Sequence, residues 1–373
     1  MNILERLISH LSHPIQSLYR RWLYRESISV ISPDILARLC RQWGHYEKKH
    51  TLTDEERNMI ISIRKQTAKA NRDNVTRTEA YFSFFQRCPE VHWAFLAHLV
   101  SRNGGWNMTD LKGDIIPSVI GDKQTRSLFL FLERANALIF HDAYPQLLLY
   151  EESKRRKKKL FHLLPFFAVS LFMRPIWNQF YETNDSLLLT VALIINEQQY
   201  IQKRVVENPF YQEHVIAHFP FLLQQWLGFN DVIIPYEKQA RIHLAGITVR
   251  DFADVYHRIH IGKALYGMLL SEKRIFQGAY HFASRTNHTG SRADFWPHLF
   301  SATKPENMSR IYSPELRNAW PHVAHRFPDE SDWFNDTAIL NELERIPILF
   351  NPDITPHYER NLKKLSAIAR ATN

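Results

Sequence analysis

Apolar residues recur at helical spacing along most of this chain. Apolar positions three to four residues apart mark one face of an amphipathic helix. Segments with this pattern lie at about 4–22, 54–70, 76–100, 123–159, 163–181, 185–207, 210–227, 248–270 and 271–284. Alternation with the period of a strand is short, and only 231–235 is expected to pair locally. The pattern predicts an all-α protein, a multi-helix globular bundle.

The boundaries of these helices suggest three regions. Capping boxes of the form Thr-x-x-Glu or Thr-x-x-Asp are predicted to open helices at Thr53, Thr76 and Thr248. The polar stretch 101–121, with its glycine pair, is predicted to be a loop between helices. We expect an amphipathic helical N-terminal region at 1–50, a main helical domain at 51–300, and an irregular, Pro-punctuated C-terminal wrap at 301–373 packed on that domain.

The composition indicates the cellular compartment in which the protein is expected. The chain has 373 residues, 45% of them hydrophobic, and Cys40 and Cys88 are its only cysteines. Two cysteines make no disulfide scaffold, so a reducing interior is expected. No signal peptide is evident, and the apolar run at 160–173 is shorter than the roughly 20 residues of a membrane-spanning helix. We expect a cytoplasmic protein.

The most informative polar stretch is 285–297, which gathers charged and hydroxyl side chains around one glycine. Arg285, Ser291 and Arg292 are candidate anion-binding residues, because guanidinium forks and free turn amides suit carboxylate or phosphate. The polar stretch that follows residue 101 adds Arg102 and Asn103 to this set. The alternative is that these groups tie a long loop to the helices beneath it, with ordinary caps at the turns.

Two carboxylates in apolar segments, Glu133 and Glu197, are candidates for the interior of the same site. If the protein is an enzyme, His288 is the candidate for proton transfer, with Glu133 and Glu197 as the other catalytic groups or as counter-charges. The alternative is that Glu133 pairs with Arg292, and Glu197 with Arg102, as structural ion pairs. The sequence leaves both interpretations open.

Known cofactor and metal motifs are missing from the sequence. It contains no phosphate-binding P-loop, no Rossmann glycine fingerprint, no GxSxG elbow and no HExxH motif. The histidine pairs 214/218 and 257/260 have helical spacing, but the carboxylate repeats of a di-iron bundle do not accompany them. We predict neither a cofactor nor a bound metal.

A basic block sets up a second functional hypothesis. The formal net charge is +9, and residues 154–159 supply six of the positive charges, which leaves +3 for the rest. The apolar run 160–167 follows, and the N-terminal 1–25 is basic and amphipathic. Such segments favour a non-enzymatic factor that binds a protein partner or an anionic membrane at its inner face. A solvated helix end is the alternative, and nucleic acid is a weaker candidate partner than an anionic small molecule.

Four segments together resemble a known family. They are 102–111, 140–145, 208–210 and 288–292, with sequences RNGGWNMTDL, FHDAYP, NPF and HTGSR. As a set they are similar to the YppC-like proteins of Bacillus and its relatives, a domain of unknown function, from about residue 60 to the late 300s. The resemblance implies a cytoplasmic protein of spore-forming Gram-positive bacteria with no assigned catalytic residue. Relatives in this family are often encoded near a recombination nuclease and a cell-wall synthase. The resemblance therefore implies a role in DNA or in the cell envelope and does not distinguish the two.

Overall fold

The structure, a computed structural model, describes residues 24–43, 51–114, 116–118, 121–218, 231–249, 251–305, 310–334 and 337–372. Helices make up most of these ranges, which confirms the predicted mainly helical fold. The α-helices are α1 Pro33–Trp43, α2 Asp54–Ala70, α3 Asn74–Arg87, α4 His92–Asp110, α5 Asp122–Arg156, α6 Met173–Thr183, α7 Ser186–Ile201, α8 Pro209–His214, α9 Val255–Ser271, α10 Lys273–Arg285, α11 Leu316–Ala319 and α12 Thr355–Thr372.

Shorter helical turns and small sheets connect the α-helices. The 3₁₀ turns are Ile116–Ser118, Phe161–Phe167, Ile216–His218, Arg292–Asp294 and Thr337–Leu343, and a π-helical segment at Gln202–Val206 continues α7. The strands are β1 Tyr24–Ser29, β2 Asp231–Lys238, β3 Arg241–Thr248, β4 Phe300–Ser301, β5 Ile311–Tyr312 and β6 Arg345–Leu349. They form three two-stranded sheets in the described ranges: β1–β6 and β2–β3 antiparallel, and β4–β5 parallel.

The local pairing expected at 231–235 is confirmed. β2 and β3 pair from Asp231 with Thr248 to Lys238 with Arg241. Gln239 and Ala240 join them with φ angles of 52° and 57°. Two consecutive positive φ angles are the requirement of a type I′ turn, whose twist matches that of the flanking strands.

Of the three predicted capping boxes, only the first is correct. Thr53 accepts from the Glu56 amide at 3.2 Å, and the Glu56 carboxylate accepts from the Thr53 amide at 2.9 Å. The prediction at Thr76 is wrong, because Asp73 caps α3 and Thr76 is the third residue inside it. The prediction at Thr248 is also wrong, because that residue ends β3 and its hydroxyl donates to Asp231 across the hairpin.

The predicted loop at 101–121 is wrong over its first half, since α4 continues to Asp110. A glycine pair weakens a helix by about 1 kcal/mol per residue relative to alanine, so the sequence favours a break there. Tertiary packing overrides this preference. A Cβ on Gly105 would lie 2.4 Å from His288 Nε2 and 2.5 Å from Asn74 Oδ1, and one on Gly104 would lie 2.9 Å from Asn136 Oδ1. The glycines let α4 approach its neighbours closely.

One continuous hydrophobic cluster, which runs from Val30 to Leu362, contains residues of all three predicted regions. α7 lies at its centre and contacts α4, α5, α6 and α9. Its sequence is apolar on almost every side, which is typical of a helix buried all round. In α5, Pro145 lies inside the helix and is buried. Polar side chains that project from α4, α5 and α7 are therefore enclosed.

Candidate functional site

Arg292 is the first residue of the 3₁₀ turn Arg292–Asp294. Gly290, two residues earlier, has a φ of +86°, a backbone conformation that favours glycine. Its guanidinium is 2% exposed and makes a forked ion pair with Asp110 of α4, with Nε 2.9 Å and Nη2 2.7 Å from Asp110 Oδ2. Nη1 donates to the Tyr358 hydroxyl at 2.5 Å. Although burial opposes ionisation, Asp110 holds the pKa of Arg292 above its ordinary value. The charge of Arg292 is thus neutralised by an internal carboxylate.

Ser291 and Asn103 bond to the backbone of neighbouring segments. The Ser291 hydroxyl donates to the Ser313 carbonyl and accepts from the Ala293 amide. The Asn103 side chain pairs with both backbone groups of Ile233, at 2.9 Å to its amide and 2.5 Å to its carbonyl. This amide extends the edge of β2 in the way a neighbouring strand would. Both side chains join the 285–297 stretch or the hairpin to the helical core.

Arg102 and His288 belong to a buried polar cluster between α3, α4 and the 285–297 stretch. Arg102 Nε donates to His98 Nε2 at 3.1 Å, and Nη2 donates to the Thr286 carbonyl. His288 Nε2 donates to the amide oxygen of Asn74 at 2.8 Å, and its Nδ1 lies 3.5 Å from Asp294 Oδ2. Burial lowers the pKa of Arg102 to about 10 and also lowers that of His288. His288 is 8% exposed, and its burial favours the uncharged ring.

The predicted ion pairs of the two carboxylates are wrong, and each carboxylate has other neighbours. Glu133 is buried and receives both terminal nitrogens of Arg77, at 2.9 and 2.5 Å, and His325 Nε2 at 3.1 Å. Although burial opposes ionisation, Arg77 and His325 hold the pKa of Glu133 below its ordinary value. Arg285 is exposed at the end of α10, and within the described ranges it bonds to neither Glu133 nor Glu197.

Glu197 lines a partly open cavity of about 170 Å³ between α3, α4, α5, α7 and α9. The cavity is mainly apolar, with Leu96, Ile139 and Leu265 among its walls. Burial raises the pKa of Glu197 to about 8, so the carboxyl carries a proton at neutral pH. The polar side chains that share this cavity are Arg77, Tyr81, Ser101, Asn136, Gln198 and Arg258.

An open groove of about 680 Å³ lies between α2, α5 and the segment 322–330. Phe166, Phe167, Pro145, Val323 and Phe327 form its apolar surfaces, and its polar residues include Arg64, Arg72, His141, His322, His325 and Glu330. The His141 ring stacks on Phe327 at a centroid distance of 3.9 Å, and its Nδ1 has no hydrogen-bond partner within the described ranges. Burial lowers the pKa of His141 to about 4, so this ring is neutral at pH 7.

The Glu133 carboxylate bonds to one residue of the groove and to one residue of the cavity. His325 lines the groove and Arg77 lines the cavity, and both bond to the Glu133 carboxylate. On the far side of the cavity wall, Asn74 donates to Ser101 at 3.2 Å and accepts from His288. Glu133, Glu197 and His288 thus have separate hydrogen-bond partners: Arg77 and His325 for Glu133, Gln198 for Glu197, and Asn74 for His288.

Apart from Glu197, the sequence did not single out as site candidates the residues that line these two spaces. Arg64 and Arg72 look like ordinary members of a charged helix face, and Arg258 follows a misplaced helix start. His322 and His325 offered a signal, because two histidines three residues apart stand in a segment rich in proline and without helical periodicity. Such segments often carry binding residues on a helical scaffold.

The basic block of the second hypothesis is largely ion-paired. The pairs are Lys154–Glu90, Arg155–Glu152, Arg156–Glu55, Arg156–Glu152 and Lys159–Glu182. In the run that follows, Leu160, Phe161, Leu163, Leu164 and Phe167 are buried in the core. Residues 1–23, the other half of this hypothesis, lie outside the described residues.

The described ranges offer neither a metal site nor a membrane-spanning helix. They contain no group of three or more His, Cys, Asp or Glu side chains that could hold a metal ion. The side chain of His218 lies outside them, so the pair 214/218 is not part of this finding. No helix there is both long enough and apolar enough to cross a bilayer.

Comparison with known proteins places the chain among uncharacterised relatives. A family model described as a protein of unknown function (DUF2515) matches residues 69–346. The uncharacterized protein YppC of Bacillus subtilis (strain 168) is 39% identical over 313 residues, which cover 84% of this chain and 94% of that relative. No solved structure matches the chain significantly.

Proposed function

The chain belongs to the DUF2515 family of proteins of unknown function, and from this premise we propose that it binds an anionic small molecule in the open groove between α2, α5 and residues 322–330. The observation that carries the proposal is the charge of the groove. Among the described residues that line it, Arg64 and Arg72 are exposed cations and Glu330 is the one carboxylate. The groove supports the Arg- and His-containing anion pocket that the sequence predicts, but with different residues.

The two arginines have donors to offer a ligand. Within the described ranges, neither guanidinium lies within ion-pair distance of a carboxylate, and Arg64 donates one bond to the Phe166 carbonyl at 2.6 Å. In contrast, Arg292 and Arg77 are neutralised by Asp110 and Glu133. An arginine without a carboxylate partner can bind phosphate through two parallel hydrogen bonds.

The apolar surfaces define the rest of the ligand. Phe166, Pro145 and Phe327 lie beside the cationic rim, so the groove pairs a charged edge with a flat, apolar one. A volume of about 680 Å³ is within the range of small-molecule sites. A phosphate ester with a flat ring fits this combination better than inorganic phosphate, which would leave the apolar surface uncovered.

The test is binding of phenyl phosphate to the variant Arg64→Ala/Arg72→Ala. Charge-assisted hydrogen bonds contribute about 1.5–3 kcal/mol each, so we expect the double variant to bind at least about tenfold more weakly in calorimetry. The matched control is Lys65→Ala/Lys69→Ala, which removes two exposed cations of the same helix that do not line the groove. Equal loss in both variants would show a diffuse effect of charge and would overturn the proposal.

No contact in the described ranges specifically favours the membrane or protein-interaction alternative. Most of the basic block is engaged by carboxylates, and exposed ion pairs of this kind contribute about 0–1 kcal/mol each to stability. The aromatic run after it would have to leave the core to enter a bilayer.

A further inference from the structure

Among the described residues, the carboxyl group of Glu197 has no cationic partner. Glu197 is half-buried and lines the cavity, and its carboxyl accepts from two uncharged donors, Gln198 Nε2 at 3.2 Å and the Trp93 indole. By contrast, the buried carboxylates of Glu133 and Asp110 each pair with an arginine. A carboxylate has about four acceptor positions, so Glu197 can accept further hydrogen bonds from a ligand.

The two arginines that line the cavity are engaged by other groups. Both terminal nitrogens of Arg77 bond to Glu133. The Arg258 guanidinium donates to neutral oxygens, and the carboxylate with the strongest effect on its charge is that of Asp254, the N-cap of α9. Neither arginine is among the groups that act on the Glu197 carboxyl. An ionised Glu197 would therefore lie at the cavity without a counter-charge from the described residues.

The rest of the cavity limits the size and polarity of a molecule that could supply this charge. Leu96, Ile139 and Leu265 are among its walls, and most of its surface is apolar. An engineered cavity of about 150 Å³ admits benzene, so a space of about 170 Å³ accepts a body of similar size. One carboxyl beside apolar walls suits a molecule with one ammonium group and one small ring or branched chain.

We propose that the cavity is a second binding site, separate from the groove, for a small primary amine with an apolar body. The ammonium group of the amine donates to the Glu197 carboxylate, and the apolar body lies against Leu96, Ile139 and Leu265. A polyamine or a nucleotide does not fit this space. The groove and the cavity thus take ligands of opposite charge.

The first test measures binding of benzylamine at pH 8 by calorimetry. We expect Glu197→Gln, which keeps the shape of the side chain and removes the charge, to bind benzylamine at least about tenfold more weakly than the wild type. The matched control is Glu207→Gln, which removes an exposed carboxylate that does not line the cavity and should bind as the wild type does. Equal binding by Glu197→Gln and the wild type, or no binding to the wild type at about 1 mM, would overturn the proposal.

A neutral ligand separates the ion pair from the filling of an apolar space. Benzyl alcohol has the same ring as benzylamine and no charge, so the wild type should bind it at least about tenfold more weakly. Glu197→Gln should bind the two ligands with similar affinity. A wild type that does not distinguish them would mean that the apolar walls alone hold the ring and that Glu197 is not the partner of the amine.

A second variant tests the location without changing a polar group. Ala97 lines the cavity and is half-buried, and Ala97→Leu places three more carbon atoms inside it. We expect the folded variant, checked by thermal unfolding, to lose benzylamine binding. Benzylamine binding that survives in Ala97→Leu would locate the amine elsewhere and contradict the assignment.

The pH dependence of benzylamine affinity identifies Glu197 as the partner. The charged and titratable groups around it are Arg77 and Tyr81 from α3, Arg258 from α9 and Asp142 from α5. Burial raises the pKa of Glu197 to about 8, so below this pH the ammonium must displace a proton from the carboxyl, and affinity should fall more than tenfold from pH 8 to pH 6. Asp142, whose pKa burial raises to about 7, adds a smaller fall in the same direction. Glu197→Gln should therefore show the smaller fall alone, and a fall identical to that of the wild type would exclude Glu197 from the site.

Discussion

Arg292 shows how a residue that looks functional in sequence can be explained by architecture. Its side chain joins the 285–297 stretch to α4 through Asp110 and to α12 through Tyr358, and it is almost entirely enclosed. Two of its partners come from distant parts of the chain, so the ion pair fixes the positions of three segments at once. A buried ion pair of this kind contributes specificity even where its net free energy is small.

Arg292→Ala should therefore lower the free energy of unfolding by about 3–5 kcal/mol, because it leaves the Asp110 carboxylate buried and unpaired. Chemical denaturation monitored by tryptophan fluorescence measures this loss. Arg285→Ala, which removes an exposed cation from the same stretch, should change stability by no more than about 0.5 kcal/mol. An unchanged or higher midpoint for Arg292→Ala would mean that the residue is held for a ligand, as the sequence-based hypothesis has it.

Glu197 predicts a pH dependence of stability. Its pKa is about 8 in the folded chain against an ordinary 4.5, so the folded state holds a proton that the unfolded state has released. The free energy of unfolding should fall as pH rises from 4.5 to about 8, by at most about 1.4 kcal/mol per pH unit from this group. Burial also raises the pKa of Asp142, to about 7, and that carboxyl acts in the same direction at lower pH.

Denaturation of the wild type and Glu197→Gln at pH 7.0 and 8.0 isolates the Glu197 contribution, because the ionisation of Asp142 over this interval contributes to both proteins. The wild type should lose stability between these two pH values, and Glu197→Gln should lose less. Parallel losses in the two proteins would mean that Glu197 is already ionised at neutral pH.

At the scale of elements, α4 depends on residues that are poor helix formers. Gly105→Ala should raise helix propensity by about 1 kcal/mol, yet its Cβ would lie within 2.5 Å of both His288 and Asn74. We expect the clash to dominate, with a net destabilisation of about 1–3 kcal/mol in thermal unfolding. Gly104→Ala meets only the end of the half-buried Asn136 side chain and should cost less. A stabilised Gly105→Ala protein would show that the two segments separate easily.

The helices themselves were predictable where one signal had no competitor. Thr53 and Glu56 form the predicted capping box, and the end of α2 at Ala70 agrees with the apolar pattern. The same Thr-x-x-Glu pattern failed at Thr76, because Asp73 three residues earlier is the better acceptor for the first free amides. The Thr-x-x-Asp pattern failed at Thr248, where pairing across the β2–β3 hairpin decides the structure.

At the scale of the whole molecule, the groove and the cavity could not be predicted from the sequence, because distant segments of the chain form them. Arg64, His141 and His322 meet in the groove, and Tyr81, Glu197 and Arg258 meet in the cavity, although long stretches of chain separate them. Periodicity identifies which face of a helix is apolar but does not indicate which other helix that face contacts. Glu197 was found because a carboxylate in an apolar helix is unusual, whereas the unpartnered state of Tyr81 exists only in the folded protein.

The pairing of β1 with β6 bears on how the chain is made. Tyr24 pairs with Leu349, so β1 cannot form its sheet until β6 has been synthesised and has left the ribosome. At synthesis rates of about 5–20 residues per second, that wait is on the order of tens of seconds. During this interval β1 lacks its partner strand. The Val30 amide also lacks the Glu344 carbonyl, to which it donates in the folded protein. The β1–β6 sheet therefore closes only after residue 349 has been synthesised, and the nascent chain passes a long interval with the edge of β1 open.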